Sequence, residues 1–316
     1  MSHVMILSML VFFGLTVPIA ISIGLAAMGG VAIAGLPWLV IAQQMYAALD
    51  KFPLAAIPFF ILAGNLMEAG GISERLVDFA KSLVGGVQGG LAMACVITCM
   101  IFAAVAGSSV ATTFAVGAIL IPAMVRHGYP APFAASLQAT AAELGVIIPP
   151  SIPFVLYGAI TSVSVSRLFL AGAVPGVFMG IAMMVAIWLM AGPRGLPRDP
   201  RANLREIVDS TRAAFLPLMA PVIIIGGITT GFFTPTEASV VASLYALGLG
   251  FLYKDLRWRD LPAILFTSLK QTCGLMFIIA TANFFGWFTI FERIPDALIM
   301  QLTAMGASAT AFMWIV

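Results

Sequence analysis

An apolar stretch between Thr140 and Tyr157 is interrupted by Glu143, Gly145, the pair Pro149-Pro150, Ser151 and Pro153. No continuous helix accommodates that run. Each proline lacks a backbone donor and its ring crowds the preceding turn, so two adjacent prolines and a third leave several carbonyls without helical partners. Where a chain crosses lipid, non-helical backbone is tolerated if protein buries it or it lines a wet cavity, and transporters use such breaks to hold ions and anionic substrates. The segment predicts a broken helix and points to transport.

That the surroundings are lipid follows from composition. Of 316 residues, 61% are hydrophobic and 9% charged, with mean hydropathy +1.09, whereas soluble domains carry about 25% charged residues. The chain is predicted to be an all-α polytopic membrane protein. Residues 1–49 and 82–125 contain no Lys, Arg, Asp or Glu, and at about 20 helical residues per crossing each run can cross a bilayer twice. The start, Met1-Ser2-His3-Val4, lacks the basic region of a secretory signal, and the apolar run after it is too long for one, so it reads as a retained first helix.

A net charge of only +2 indicates neither a nucleic-acid partner nor a polybasic lipid anchor. The placement of charge says more. Eight of the fifteen Lys and Arg fall in two short stretches, Arg194, Arg198, Arg201, Arg205 and Arg212, then Lys254, Arg257 and Arg259. Both are assigned to the cytoplasmic side by the positive-inside rule. Two apolar spans between them, 213–231 and 237–253, return the chain to the same side. Cys95, Cys99 and Cys273 sit in apolar runs without His or carboxylate company and read as packing residues.

Along the chain, a first long helix over 4–33 with Pro18 inside it leads to a second apolar piece ending near Asp50-Lys51, and a span follows from Phe52 to Met67. Between Gly70 and Gly90, Ile72, Leu76, Phe79, Ala80 and Leu83 recur at helical spacing against Glu74, Arg75, Asp78 and Lys81. That pattern predicts an amphipathic helix at the interface, either a surface connector or a lever. A second interruption, Ala106-Gly107-Ser108-Ser109-Val110-Ala111-Thr112-Thr113, puts small and hydroxyl residues where a lipid-facing span would have Leu and Ile. Alone it is read equally well as close helix packing; beside the proline break it favours a site. After a clean span over 170–192, the basic loop 193–212 reads as the boundary between halves. Residues 275–290 form a further apolar run, and another begins at Ala297.

Several stretches, in this order, resemble the large membrane subunit (DctM-like) of tripartite ATP-independent periplasmic, or TRAP, transporters: Phe59-Phe60-Ile61-Leu62-Ala63-Gly64, Gly70-Gly71-Ile72-Ser73-Glu74-Arg75-Leu76, Ala106-Gly107-Ser108-Ser109, Ile121-Pro122-Ala123-Met124, Gly145-Val146-Ile147-Ile148-Pro149-Pro150-Ser151-Ile152-Pro153 and Phe233-Thr234-Pro235-Thr236-Glu237-Ala238. The resemblance implies a sodium-coupled symporter for an organic acid in the bacterial inner membrane. Its implied partners are a small four-helix membrane subunit and a periplasmic substrate-binding protein. No cofactor is implied beyond the coupling ion.

The fold implied is an elevator with inverted repeats, each holding a re-entrant hairpin and a broken helix. Carried onto this chain, residues 1–50 become N-terminal scaffold helices. Residues 51–193 become the first repeat, with an arm helix at 70–90, a hairpin at about 91–125 and a broken helix at about 133–168. A cytoplasmic linker over 194–212 and the start of a second repeat over 213–316 follow. The family continues further, to a second hairpin and a Thr-Pro-Pro break, so the chain reads as a fragment. It also departs from the family at Glu143, where many members carry Ser or Thr. Ionisable groups at membrane depth are usually functional. Three readings stand for this one: a cation ligand, a proton-coupling group, or a carboxylate bonded to backbone donors at the break.

Hydroxyls and carbonyls freed at a break can ligate sodium without fixed negative charge. The expected ion site uses oxygens of Ser108, Ser109, Gly145, Ile148, Pro149 and Ser151. The expected substrate contacts are Ser108, Ser109, Glu143, Pro150 and Ser151, with half-helix N-termini favouring a carboxylate by about 0.3–1 kcal/mol each, and about 2 kcal/mol where water is excluded. Two competitors are a one-component sodium/carboxylate carrier of the same architecture and an intramembrane serine hydrolase with Ser108 or Ser109 as nucleophile. The hydrolase needs a base, and the histidines are His3, near the terminus, and His127, at a turn. Trp38, Tyr46, Trp258 and Trp287 read as interface or packing aromatics. Glu237 reads as a helix-start residue, with receptor docking as its alternative.

Overall fold

The structure, a computed structural model, describes residues 2–198, 200–296 and 299–300. The described residues are almost wholly helical, and among them seven helical stretches are long and apolar enough to cross a membrane. The apolar run from Ala297 lies largely outside them. The chain groups into two compact units, one of residues 1–51 with the described residues from 273 on, the other of residues 52–272.

In the first unit the predicted helix over 4–33 is two helices, α1 (Ser2–Gly14) and α2 (Ile19–Ile33), because Pro18 stands just before α2 in extended geometry instead of inside a continuous helix. A Pro lacking the N–H needed inside a helix is well suited to starting one. Then comes α3 (Leu39–Leu49). The core here packs Met5, Ala26, Ala27 and Val31 against Phe284 and Phe288 of the last described helix.

The second unit begins with a 3-10 turn (Phe52–Ala55) leading into α4 (Ala56–Ala69), then α5 (Ile72–Val84), α6 (Gly90–Ala106), α7 (Ser109–Arg126), α8 (Ala131–Ala142), α9 (Leu144–Ile147) and α10 (Ile152–Thr161). It goes on through α11 (Val165–Ala191), α12 (Leu204–Thr229), α13 (Pro235–Leu252) and the beginning of α14 (Leu261–Phe291). At its centre stands α6, built largely of small and apolar residues and buried on nearly every side. An apolar helix without a polar face is stable only when surrounded.

The unit boundary falls inside α14, not at the basic loop, because packing ties the two halves of residues 52–272 together. Helix α13 lies along α4, where the Ser243 hydroxyl donates to the Phe59 carbonyl at 2.6 Å and Gly70 and Gly250 let the backbones touch. Helix α12 starts earlier than predicted, at Leu204, with the Glu206 carboxylate accepting the Asn203 N–H at 3.0 Å, so Arg205 and Arg212 belong to a helix instead of a loop.

The two basic stretches do meet. The Tyr253 hydroxyl, next to Lys254, donates to the Ala213 carbonyl, next to Arg212, at 3.2 Å. The amphipathic helix is held to the same end of the unit at both of its termini. Arg75 pairs with Asp255 at 2.8 Å and stacks on the Tyr253 ring, while Arg198 donates to the Gly86 carbonyl at 2.8 Å. Its buried face is Ile72, Leu76, Val77 and Ala80, set against α6 and α12, whereas Leu83, expected on that face, is exposed.

Candidate functional site

Helix α6 leaves the basic end, where Gly89 N–H donates to the Pro197 carbonyl at 2.9 Å, and runs to Gly107. There the chain turns in two residues, Gly107 in the left-handed region (φ 62°) and Ser108 extended, and α7 returns toward His127. The arms fold back on each other, since Cys95 and Cys99 of α6 and Thr112 and Gly117 of α7 all touch the same residue, Gln138 of α8. This is a helix–break–helix hairpin over the region expected near 91–125, with its tip at Gly107-Ser108.

The proline run breaks the next span where expected. After α9 the backbone of Ile148 and Ser151 is extended, the Pro149-Pro150 peptide is cis, and α10 runs from Ile152 to Thr161, ending short of the expected 168. Helical register identifies the carbonyls that the prolines deprive: nitrogen 149 would serve Gly145 and nitrogen 150 would serve Val146, and neither carries a hydrogen. The Val146 carbonyl takes the Ser151 hydroxyl instead. Gly145 is left without its helical donor. At the end of α6, Gly107 N–H closes on the Ala103 carbonyl, and the carbonyls of Ala104, Val105 and Ala106 lie beyond that last helical bond.

The two breaks interlock. Ile152 N–H, the first of α10, donates to the Gly107 carbonyl at 3.1 Å. A Cβ at Gly107 would stand 2.5 Å from the Pro150 carbonyl oxygen, and one at Gly145 would stand 3.0–3.1 Å from the Ser108 carbonyl group and Ser109 nitrogen. Only glycine allows the first approach, and at the second a side chain would require the hairpin backbone to shift by a few tenths of an ångström. The junction thus gathers two helix C-terminal ends, of α6 and α9, and two N-terminal ends, of α7 and α10. C-terminal carbonyls favour a cation and N-terminal amides an anion, so the junction offers a pole of each sign.

Its depth follows from α11, whose Gly172 and Gly176 pack on the break: a Cβ on either would meet the Ile147 carbonyl or Ile148 at 2.6 Å. Both glycines lie in the interior of that helix, a 27-residue apolar span that starts at Val165 and ends at Ala191 beside the basic loop. The junction therefore lies level with the interior of that apolar helix and away from the basic end.

Individual side chains divide as follows. Ser108 caps α7, its hydroxyl accepting the Ala111 N–H at 3.3 Å and its carbonyl accepting both the N–H and hydroxyl of Thr112 at 3.0 and 2.9 Å. Ser151, fully buried, caps α10 by accepting the Phe154 N–H at 3.4 Å. Ser109 opens α7, and its carbonyl takes the Thr113 hydroxyl at 2.8 Å. Ile148, Pro149 and Pro150 are buried, with Pro149 facing Ile225, Ile228 and Thr229 near the end of α12. Glu143 is not gathered in: it joins α8 to α9 with an exposed side chain that makes no hydrogen bond or ion pair among the described residues. The backbone-bonded carboxylate considered for it from the sequence is absent from this geometry.

Two contributors escaped the sequence reading. Gln138, completely buried, accepts from Cys95 Sγ at 2.9 Å and donates to the Thr112 carbonyl at 3.3 Å, so the cysteines read as mere packing have an amide partner. The stripe Gly172, Gly176 and Gly180 on α11 meets Phe154, Ile148 and Met100. Its four-residue spacing was visible, and such small-residue spacing marks close helix approach in membranes.

The hydrolase arrangement finds no support in this geometry. Ser108 and His127 cap opposite ends of α7, with all 18 residues of the helix between them, and the His127 ring binds the Ala123 carbonyl at 2.8 Å.

Comparison with known proteins agrees. Residues 6–316 match the family model described as the DctM component of tripartite ATP-independent periplasmic transporters. The C4-dicarboxylate TRAP transporter large permease protein DctM of Pseudomonas aeruginosa is 46% identical over 277 residues, 87% of this chain and 65% of that protein. Its namesake in Rhodobacter capsulatus is 39% identical over 333 residues, 98% of this chain and 76% of that protein. The sialic acid TRAP transporter large permease protein SiaM of Vibrio cholerae is 41% identical over 258 residues, 81% and 60% respectively. The chain thus spans roughly two thirds of the length of such relatives, which are named as transport permeases, not enzymes. With that match running over residues 6–316, this chain belongs to the DctM family, the large membrane component of TRAP transporters.

Proposed function

We propose that this chain forms the sodium-coupled core of a permease that takes up an organic acid delivered by a periplasmic binding protein, in company with a small four-helix membrane subunit. One observation carries the reading: two backbone breaks, at Gly107-Ser108 and Ile148–Ser151, interlock beside the interior of the apolar helix α11 and present carbonyls that helical bonding does not use. Oxygens of Ser108, Ser109, Gly145, Ile148, Pro149 and Ser151 hold the sodium ion. The N-terminal ends of α7 and α10 face the substrate carboxylate, near Pro150, at a gain of about 0.3–1 kcal/mol each. Relatives named for C4-dicarboxylates and for sialic acid share a carboxylate and little else, which supports an organic acid as the substrate class. The basic end holding Arg201, Arg205, Arg212, Lys254 and Arg257 is cytoplasmic by the positive-inside rule, which suits a bacterial inner-membrane protein.

The test is uptake of radiolabelled succinate into proteoliposomes carrying the full-length permease with its small subunit, the binding protein outside, under an inward sodium gradient. Replacing Pro149 and Pro150 with Ala restores the missing N–H groups and abolishes sodium-driven uptake. Normal uptake with unchanged sodium dependence rejects the site. Copurification of a small membrane protein with the permease supports the two-subunit assembly, and its absence from an active preparation contradicts it.

A further inference from the structure

We propose that Gln138 is a positioning residue for the sodium site, setting the register of the hairpin tip against the proline break; the inference rests on the sodium reading above. Its side chain is a neutral amide, and it stands about two helical turns before Gly145, so it acts through other groups and not as an ion ligand.

The contacts form a closed circuit. Gln138 Nε2 donates to the Thr112 carbonyl at 3.3 Å. The Thr112 hydroxyl and N–H in turn hold the Ser108 carbonyl at 2.9 and 3.0 Å. The Ser108 carbonyl group is what Gly145 packs against. Gly145 follows from Gln138 along α8 and α9, so the circuit closes through the chain itself. On its other side the Gln138 carbonyl oxygen accepts from Cys95 Sγ at 2.9 Å, which ties in the second hairpin arm. One side chain therefore fixes α6, α7 and α8 together at their common centre. A wholly buried amide in an apolar helix is stable only when both its ends are satisfied, and this one satisfies them across two neighbouring helices. Gly117 makes room for it, since a Cβ there would come within 3.1 Å of Gln138 Cγ.

A purely structural glutamine and a positioning one predict different outcomes. The purified full-length permease is titrated with sodium chloride against choline chloride, and its melting temperature is followed in each. In the wild type sodium stabilises and choline does not. Gln138→Met keeps roughly the volume and removes the amide's hydrogen bonds to Thr112 and the two cysteines, and it is expected to raise the sodium half-saturation about tenfold, the scale of one hydrogen bond's net contribution. A purely structural role lowers the melting temperature equally in both salts and leaves the half-saturation unmoved; that result overturns the proposal. Gly117→Ala crowds the amide without altering it and moves the half-saturation the same way, about threefold. Should Gln138→Met not fold, Gly117→Ala decides alone, an unchanged half-saturation overturning the proposal. Absence of sodium stabilisation in the wild type overturns the functional reading itself and this inference with it.

Discussion

Two turns in this chain use the same device, a hydroxyl residue at a helix start with proline in the first turn, and end up as opposites. At Thr234 the turn is exposed and self-contained: the Thr234 hydroxyl accepts the Glu237 N–H at 3.3 Å, and the Glu237 carboxylate takes the Thr234 N–H and hydroxyl at 2.8 and 2.9 Å. These polar groups satisfy one another within four residues, a capping box of the usual kind. At Ser151 the cap is fully buried, two prolines precede it, and the residue three places on is Phe154 instead of an acid. The break borrows partners from the neighbouring hairpin and leaves the Gly145 carbonyl without a helical donor. Local self-sufficiency marks a connector; borrowed and incomplete bonding marks a place built for something else to bind.

That contrast can be attacked at its glycines first. Gly107 and Gly231 both have left-handed φ, 62° and 78°, but a Cβ on the first would meet the Pro150 carbonyl at 2.5 Å and on the second would meet nothing within 4 Å. Gly107→Ala is expected to cost about 3 kcal/mol from clash and backbone strain combined and to abolish uptake. Gly231→Ala costs about 1 kcal/mol from strain alone, with uptake retained. Thermal melts and the proteoliposome assay measure both, and equal losses would remove the distinction between the two turns.

A finer comparison removes the two caps. Ser151→Ala deletes the bond to the Phe154 N–H and the one to the Val146 carbonyl, for about 2 kcal/mol of stability and a several-fold rise in sodium half-saturation. Thr234→Ala costs about 1 kcal/mol and leaves the sodium dependence where it was. Sodium titrations of both variants that shift alike would mean the buried cap has no special relation to the ion.

How much of this was written in the sequence depends on how local the cause is. The proline break was legible because two missing N–H groups forbid a helix whatever surrounds them, and Glu237 as a helix-start residue because its partner Thr234 lies within one turn. The common side of the two basic stretches followed from counting spans. Pro18 was misplaced inside a helix, since proline in an apolar helix is compatible with either a kink or a start. The start of α12 was missed because Leu204 to Arg212 is polar and precedes the apolar run used to find it. Gln138 and the α11 glycines have meaning only once α6, α7, α8 and α11 are packed, which no short window reveals. Glu143 runs the other way: two residues from Gly145 in sequence, it ends with an exposed side chain.

If the interlocked breaks hold the ion, equilibrium binding of radioactive sodium to the purified permease must show it without any need for transport, substrate or receptor. The expected result is saturable binding in the wild type, competed by excess sodium but not by choline, and loss of bound sodium in a folded Pro149→Ala/Pro150→Ala variant. Sodium binding undiminished in that variant would contradict it.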